Sequence, residues 1–504
     1  MLASWLAAAT IFIPVCASAG VDDVHAATVR LDLAFSPRGA NPTQWRACHT
    51  SCANADKGQG TSVRFAESGD PPLARLVLRG GDPTMNLDGL AFTADIGEDG
   101  RTVTFRADLP VDGVRIEKSF ELSPDGYDIA MLVRFSGPNV AAFLIGRQLE
   151  LEIAPGHGFY PAPAAGFAAM LEHVSRVVVS GAGTRTVDDD RHSIRLGSYD
   201  WAGFRSRFWT IVQAADGGGI LDSGSGARMV IRLNASTTER REWRCRFYSG
   251  PVERAALSRT APVLDALFLS GLWTWLRALA LALLWLLNGL SAIVGSPGVG
   301  IIALAASVKI LLLPLTAFAE HLQAQVNAAQ ARLEPRLAEI TAAHRGEERT
   351  RRTLALYREE NVHPLYTLKS LVGVLIQLPV FIAVFDMLAE DFGLDGVPFL
   401  WVRDLSRPDA LARLPVCVPF FGCDLNVLPF LMAGLSLLVL VRFRPAVGTP
   451  TLLRRQRRNL VGMTGLFFLL FYTFPAGMVL YWTSTNAFQV ARQEIERLWR
   501  RPAE

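Results

Sequence analysis

The chain has 504 residues, half of them apolar, and a formal charge of +3 at pH 7. That length holds two or more domains. So small a charge, with no basic stripe interleaved with aromatics, argues against nucleic acid as a partner. The apolar residues are unevenly placed: residues 21–262 are polar with short β-like runs, whereas 263–493 contain several stretches long enough to cross a bilayer core of roughly 30 Å.

Residues 1–20 combine an apolar run with Ala17-Ser18-Ala19, a small-residue cleavage pattern, and read as an export signal, cleaved or kept as an anchor. Cys16 sits in a poor lipoprotein box. Cys48 and Cys52, four apart, read as a disulfide in an exported domain. His49 between them raises a metal site, but no second ligand pair follows. Cys417 and Cys423 are a second candidate bridge if their loop faces an oxidising compartment. Neither a metal nor a cofactor is expected.

Residues 21–262 alternate apolar and polar positions in short runs: 29–33, 73–78, 103–107, 114–122, 127–135, 177–180, 208–212, 229–233 and 243–247. Asp99-Gly100, Asp112-Gly113 and Asp125-Gly126 punctuate them at hairpin-like intervals, which predicts an antiparallel β-sandwich. Gly217-Gly218-Gly219 lacks the Gly-Lys-Ser/Thr of a phosphate loop and reads as a turn.

From residue 262 the periodicity becomes helical. Segment 263–296 is apolar but interrupted by Arg277 and Asn288, crowded with Trp273 and Trp275 at one end, and closed by Gly295-Ser296-Pro297-Gly298. Membrane spans are predicted over 299–318, 371–388, 425–441 and 460–490, the last broken by Pro475-Ala476-Gly477. Between them, residues 320–367 read as a charged helical hairpin with a break at His344-Arg345-Gly346. The tail, 494–504, is short and basic.

Arginine placement orients these spans, because cytoplasmic segments retain positive residues. Stretch 319–367 carries seven arginines and 442–458 six, whereas 391–424 has three against five aspartates. With 299–318 running from outside to inside, every arginine-rich segment lands in the cytoplasm. A full span at 263–296 would then place the β-domain on the wrong side, so that segment is predicted to lie along the outer face as an interfacial helix.

No enzyme constellation emerges. There is no Gly-x-Ser-x-Gly and no His-Glu-x-x-His, and His157, His173 and His192 have no evident partner in the sequence. Lys309 is different. It is one of four lysines against 46 arginines and the only formal charge between residues 297 and 318. A charge at mid-helix costs about 3 kcal/mol on insertion scales and must face a partner or water. Asp386 is the intramembrane carboxylate that would pair with it, and an ion- or proton-coupled transporter with a carbohydrate-binding-like ectodomain is the competing functional reading. Gln377 and the polar run of the last span, Tyr481, Trp482, Thr483, Ser484, Thr485, Asn486 and Gln489, instead suggest a hydrated cavity around the cation.

At these residues the chain resembles the YidC family of membrane protein insertases, of the Gram-negative type with a large periplasmic domain. The likeness rests on Lys309 followed by Pro314-Leu315-Thr316, and on Ala355-Leu356-Tyr357 before Pro364-Leu365. It continues through Leu375 to Phe381, Asp404-Leu405-Ser406-Arg407-Pro408-Asp409, and Phe474-Pro475-Ala476-Gly477-Met478 to Asn486. In the soluble half, Lys118-Ser119-Phe120, Trp201-Ala202-Gly203-Phe204 with Arg207-Phe208, and Phe247 to Pro251 resemble that periplasmic domain.

The resemblance implies a mixed fold: an antiparallel β-supersandwich ectodomain over 21–262, then an α-helical polytopic bundle of five core helices over 297–493. It implies a bacterial inner-membrane protein without enzymatic activity, whose hydrophilic groove holds a central cation at Lys309. Gln377, Tyr481, Trp482, Thr485 and Asn486 would line that groove. Nascent membrane proteins, the Sec translocon, the ribosome and the lipid bilayer are the implied partners. Three features depart from the family: lysine stands where arginine is common, Tyr366-Thr367-Leu368-Lys369 replaces the usual Gly-Gly-Cys-like stretch, and the tail is short.

Overall fold

A computed structural model describes residues 23–57, 60–80, 85–111, 113–187, 193–223, 228–234, 241–360, 362–363, 366–442 and 450–499. The export signal, Asp112, His192, the 364–365 dipeptide and residues 500–504 lie outside them. The chain forms two compact units. The first takes in the described parts of Met1–Phe159, Val187–Phe204 and Ile211–Gly250; the second takes in Tyr160–Thr186, Arg205–Thr210 and Pro251–Glu504.

The first unit is antiparallel β-structure. Thr93–Ile96, Thr102–Asp108, Arg115–Leu122 and Asp128–Ser136 pair in succession, and Glu242–Pro251 then pairs with Asp128–Ser136. Gly100, at φ +64°, closes the first of these hairpins as Asp-Gly predicts. A five-stranded sheet runs Ile194–Leu196, Gly219–Ser223, Met229–Leu233, Gln148–Ile153, Arg75–Arg79, and a four-stranded one follows chain order from Val24–Ala27 to Ser62–Ala66. All nine predicted strands are present. Gly217 and Gly218 form the expected turn, both with positive φ. Cys48 and Cys52 are bridged, and the free Cys245 is buried, which pushes its thiol up to about 12.

Period-2 alternation aims Ile116, Lys118, Phe120 and Leu122 at the core, so a lysine stands at an apolar position. Lys118 is 2% exposed; its Nζ donates to Asn41 Oδ1 at 3.3 Å and lies 5.2 Å from the Phe120 ring centroid. Burial pushes it down from 10.5 to about 7, against the attraction of Asp88. The unfolded chain therefore holds this proton more tightly, and stability falls as pH drops from the ordinary lysine range towards 7. Lys118→Met should be more stable than the parent near neutral pH by about 1–4 kcal/mol. Unfolding curves of the two proteins should converge as pH is raised through the window between 7 and 10.5; a gap independent of pH would refute this.

His157 does have a partner, contrary to its sequence reading: Nδ1 lies 2.7 Å from Asp70 Oδ1. The two are 87 residues apart and meet only through the fold, and the imidazole is solvent-exposed.

The second unit is mainly helical. We label its longer helices α1 Thr274–Val294, α2 Pro297–Ala343, α3 Gly346–Glu359, α4 Val372–Glu390, α5 Leu428–Arg442, α6 Pro450–Phe471 and α7 Ala476–Trp499. Gly295, at φ +70°, ends α1, and Pro297 opens α2, the C-cap and N1 chemistry expected of that turn. Leu276, Ala280, Leu283 and Leu287 form the buried stripe of α1, while Trp275, Trp285 and Ile293 are exposed. Gly300 allows α1 and α2 to approach, since a Cβ there would lie 2.1 Å from Ser291 Oγ.

At 47 residues, α2 is about 70 Å long. It runs through Lys309 and into the predicted hairpin, breaking at His344-Arg345 before α3 returns. Arg336 of α2 binds Glu359 at 2.9 Å and Glu360 at 3.3 Å on the return arm. These are exposed pairs that set register more than they add stability.

Candidate functional site

Three contacts fix the direction of α7 against α2. A Cβ on Gly477 would lie 3.4 Å from Ile301 Cδ1, Lys309 Nζ donates to Gln489 Oε1 at 3.4 Å, and Arg492 pairs with Glu320 at 2.8 Å. Residue numbers rise together on both helices, so the two are parallel. The same logic makes α5 parallel to α7: Asn426 Nδ2 donates to Tyr472 O at 2.7 Å, and Asn486 Nδ2 donates to Met432 O at 3.3 Å and Ser436 Oγ at 2.7 Å. Helix α4 runs the other way, with Phe381 5.3 Å from Trp482 and Phe385 5.2 Å from Phe471, ring to ring.

Lys309 is half-buried on a helix whose next turns are apolar. The partner of its ammonium is an amide oxygen, not a carboxylate. Glu320, three turns further along α2, is held by Arg492, and Asp386 lies at the far end of α4 beside Gly271. Tyr481, Thr485 and Gln489 recur every four residues, one stripe of α7, and Gln489 places that stripe on the Lys309 side. Tyr481 and Thr485 are buried.

The other predicted site residues are placed differently. Trp482 stacks among Phe381, Phe385, Phe467 and Phe471, with centroids 5.2 to 6.2 Å away. Asn486 is tied to α5. Gln377 is half-buried on α4, one turn before Phe381. Lys309 thus shares a seam with Tyr481 and Thr485, while Trp482 and Asn486 knit α7 to α4 and α5. Thr316 and Ser307 bond back to Leu312 O and Ala303 O, which satisfies their hydroxyls within α2.

The segment between α4 and α5 closes one end of the bundle. Asp404 Oδ1 accepts from Gly396 N, Ser406 N and Ser406 Oγ at 2.8 to 3.1 Å. Leu405 O and Arg407 O accept from the amides of Gly477 and Ala476 at 2.8 and 2.7 Å, seating the start of α7. Asp409 Oδ2 accepts from Val427 N at 2.7 Å and Leu428 N at 3.0 Å, an N-cap for α5. The run Asp404 to Asp409 therefore has a structural reason: it caps two helix starts. Cys417 and Cys423 are bridged within the same segment.

Arg207, which the sequence marks only as part of a motif, is buried against this segment. Nε donates to Ala389 O at 2.6 Å, in the last turn of α4, and Nη1 to Ser406 O at 2.9 Å and Glu172 Oε1 at 2.8 Å. Arg205 pairs with Glu390 at 2.7 Å, and Glu390 Oε2 also accepts from Leu269 N at 2.8 Å. Burial pushes Asp391 up to about 6, raises Asp395 and lowers Arg207. Nothing in the local sequence marks a loop arginine as a helix cap.

Comparison with known proteins adds three findings. The family described as 60Kd inner membrane protein matches residues 289–499. Proteins named membrane protein insertase YidC match from Ralstonia nicotianae, 33% identical over 49% of this chain and 40% of that one, and from Syntrophobacter fumaroxidans, 28% identical over 78% and 70%. A crystal structure of an active YidC insertase aligns over 93% of this chain and 92% of its own, with 16% identity and a TM-score of 0.35. Against the first of these relatives the match takes in less than half of the relative's length.

Proposed function

We propose that this chain, which belongs to the YidC family, inserts hydrophobic segments of nascent proteins into the bacterial inner membrane without hydrolysing a nucleotide. The observation that carries this reading is Lys309: a cation in an apolar helix, turned towards Gln489 and the Tyr481–Thr485 stripe and met by an amide oxygen. A cation so placed needs water nearby, and a hydrated groove gives it both water and a task. It attracts polar and acidic parts of a client while the client's apolar segment moves into lipid. Tyr481 and Thr485 line that path; Trp482 and Asn486, on the sides of α7 turned to α4 and α5, and Gln377 of α4 border it. The membrane potential acts on charge in transit.

The helix directions agree with the arginine topology. Helices α2, α5 and α7 run from outside to inside, which puts 319–367, 442–458 and the tail in the cytoplasm and the capped 391–411 segment outside, where it closes the groove. Domain 21–262 then lies in the periplasm. Helix α1 is long and apolar enough to span, yet both of its ends meet the outer end of the bundle. Leu269, just before it, donates to Glu390, and Gly298, just after it, faces the Phe399 ring. We assign α1 to the outer interface, with Trp273 and Trp275 at headgroup level. The α2–α3 hairpin is the surface on which the ribosome or Sec translocon would dock.

The test is reconstitution. Vesicles containing the full chain should insert a single-span client that empty vesicles leave outside, and photocrosslinkers at positions 309 and 481 should capture that client when it is stalled midway. Normal insertion into empty vesicles, or crosslinks confined to the ectodomain, would remove the reading.

A further inference from the structure

The two-stranded hairpin Ala412–Val418 with Gly422–Leu425 has an unusual surface for an extramembrane loop. Its charges stop at the base, where Arg413 and Asp424 stand opposite each other in register. Beyond them the strand reads Leu414-Pro415-Val416-Cys417-Val418-Pro419-Phe420-Phe421, with no charge. Both faces are open: Val416 is 72% exposed, Val418 44% and Phe420 47%. Successive residues on a strand point to opposite sides, yet nearly all of residues 411–420 are exposed, so this apolar character is not directed at a core.

A lone two-stranded hairpin is marginal in water. This one is stapled by Cys417–Cys423 and pinned at its turn by Phe420 against Phe167 at 5.1 Å and Phe421 against Tyr472 at 5.0 Å. The turn is therefore held against the protein, and the apolar strand residues 414–418 are presented outward as a fixed shape. From Leu425 the chain passes through Asn426 and Val427 directly into α5, whose first turn exposes Phe430 and Leu431. Phe421 of the hairpin turn and Phe430 of α5 both meet the Tyr472 ring, at 5.0 and 6.2 Å, so the hairpin lies beside the start of α5.

We propose that this hairpin is a lipid anchor, its exposed apolar strand seated among the headgroups and upper acyl chains of the outer leaflet beside α5. Unpaired strand edges bar it from the hydrocarbon centre, where orphan backbone donors cost several kcal/mol each. The headgroup zone tolerates them, and Pro415 in the strand and Pro419 in the turn carry no backbone donor. A short strand interrupted by Pro415 is a poor edge for pairing with another strand, which disfavours a second copy or an extended client as occupant. Arg413 at the base stands at the depth of lipid phosphate.

The anchor is tested with the full chain in phosphatidylethanolamine and phosphatidylglycerol vesicles, with benzoylphenylalanine placed singly at 416, at 437 on α5, or at exposed 68 in the ectodomain. After irradiation, the peptides bearing 416 and 437 should gain the mass of a phospholipid, and the peptide bearing 68 should not. If 437 captures lipid and 416 behaves like 68, the anchor is refuted while the membrane placement of α5 stands. If 437 also captures none, the membrane reading of the core fails with it. Adducts at 416 to a client or a second copy, in place of lipid, refute the anchor as well.

Discussion

Arg207→Ala should lower the stability of the chain by about 3–5 kcal/mol, read as a fall in melting temperature in detergent. Arg207 is 8% exposed, and its guanidinium joins three groups: the carbonyl of Ala389 at the end of α4, the carbonyl of Ser406 and the carboxylate of Glu172. Truncation would leave a half-buried carboxylate without its counter-charge and two buried carbonyls without donors. The damage should spread, because Ser406 belongs to the run that seats the start of α7 through Leu405 and Arg407. Arg207→Lys should recover only part of the loss, since an ammonium lacks the planar fork that reaches both carbonyls. Arg205→Ala is the comparison: its guanidinium meets the side chains of Glu390 and Ser270 where Arg207 also holds two backbone carbonyls, so its truncation strands fewer buried groups and its cost should be smaller. Equal losses for the two would mean that Arg207 is not the cap described.

The β-domain was legible because one physical rule governs it. A strand with one buried face must alternate, and 115–122 does so residue by residue. Asp-Gly pairs supply the positive φ that hairpins need, and Gly100 adopts it. The helix starts and breaks around 295–297 and 344–346 were legible for similar local reasons: left-handed glycine, proline at N1, and a charge-rich arm returning on itself. Strands such as Asn41–Cys48 and Gln148–Ile153 were not anticipated. Asn41–Cys48 is buried along most of its length and carries Pro42, which blurs the alternation on which recognition depends, whereas Gln148–Ile153 does alternate and buries its polar positions Glu150 and Glu152 as well.

The site was legible only as a set of residue types. Lys309 announced itself by cost, since a charge in the middle of an apolar helix must find a partner or water. Which polar groups meet it depends on helix rotation, and sequence carries that weakly when most faces of a helix are apolar. So Gln489 became the direct partner, while Asn486, equally polar, turned to Ser436. Trp482 is an aromatic clasp within a run of phenylalanines that sequence spacing scatters over α4 and α6. Arg207 and Asp409 were opaque for a different reason. Their partners are backbone groups far along the chain, and backbone groups leave no mark on residue identity.

Lys309→Glu should reduce client insertion on the order of tenfold or more, whereas Lys309→Arg should keep most of it. A unit charge at about 4 Å interacts by roughly 1 kcal/mol in water and about 4 kcal/mol at a protein-like effective dielectric, and each 1.4 kcal/mol is about tenfold in rate. Reversing the sign converts attraction of an acidic client segment into repulsion of similar size, so the loss should deepen with the number of acidic residues flanking the client's apolar segment. Lys309→Gln separates polarity from charge: it keeps hydrogen bonding to Gln489 within reach but offers no field. Its defect should appear with acidic clients and nearly vanish with neutral ones. Because replacing a half-buried cation with a neutral side chain removes a desolvation cost, Lys309→Gln and Lys309→Met should melt no lower than the parent. Lost insertion without lost stability is the signature of a cation that works on the client. If Lys309→Glu inserts acidic clients at the parental rate while remaining folded, the lysine has no part in moving them, and the polar seam of α2 and α7 is packing alone.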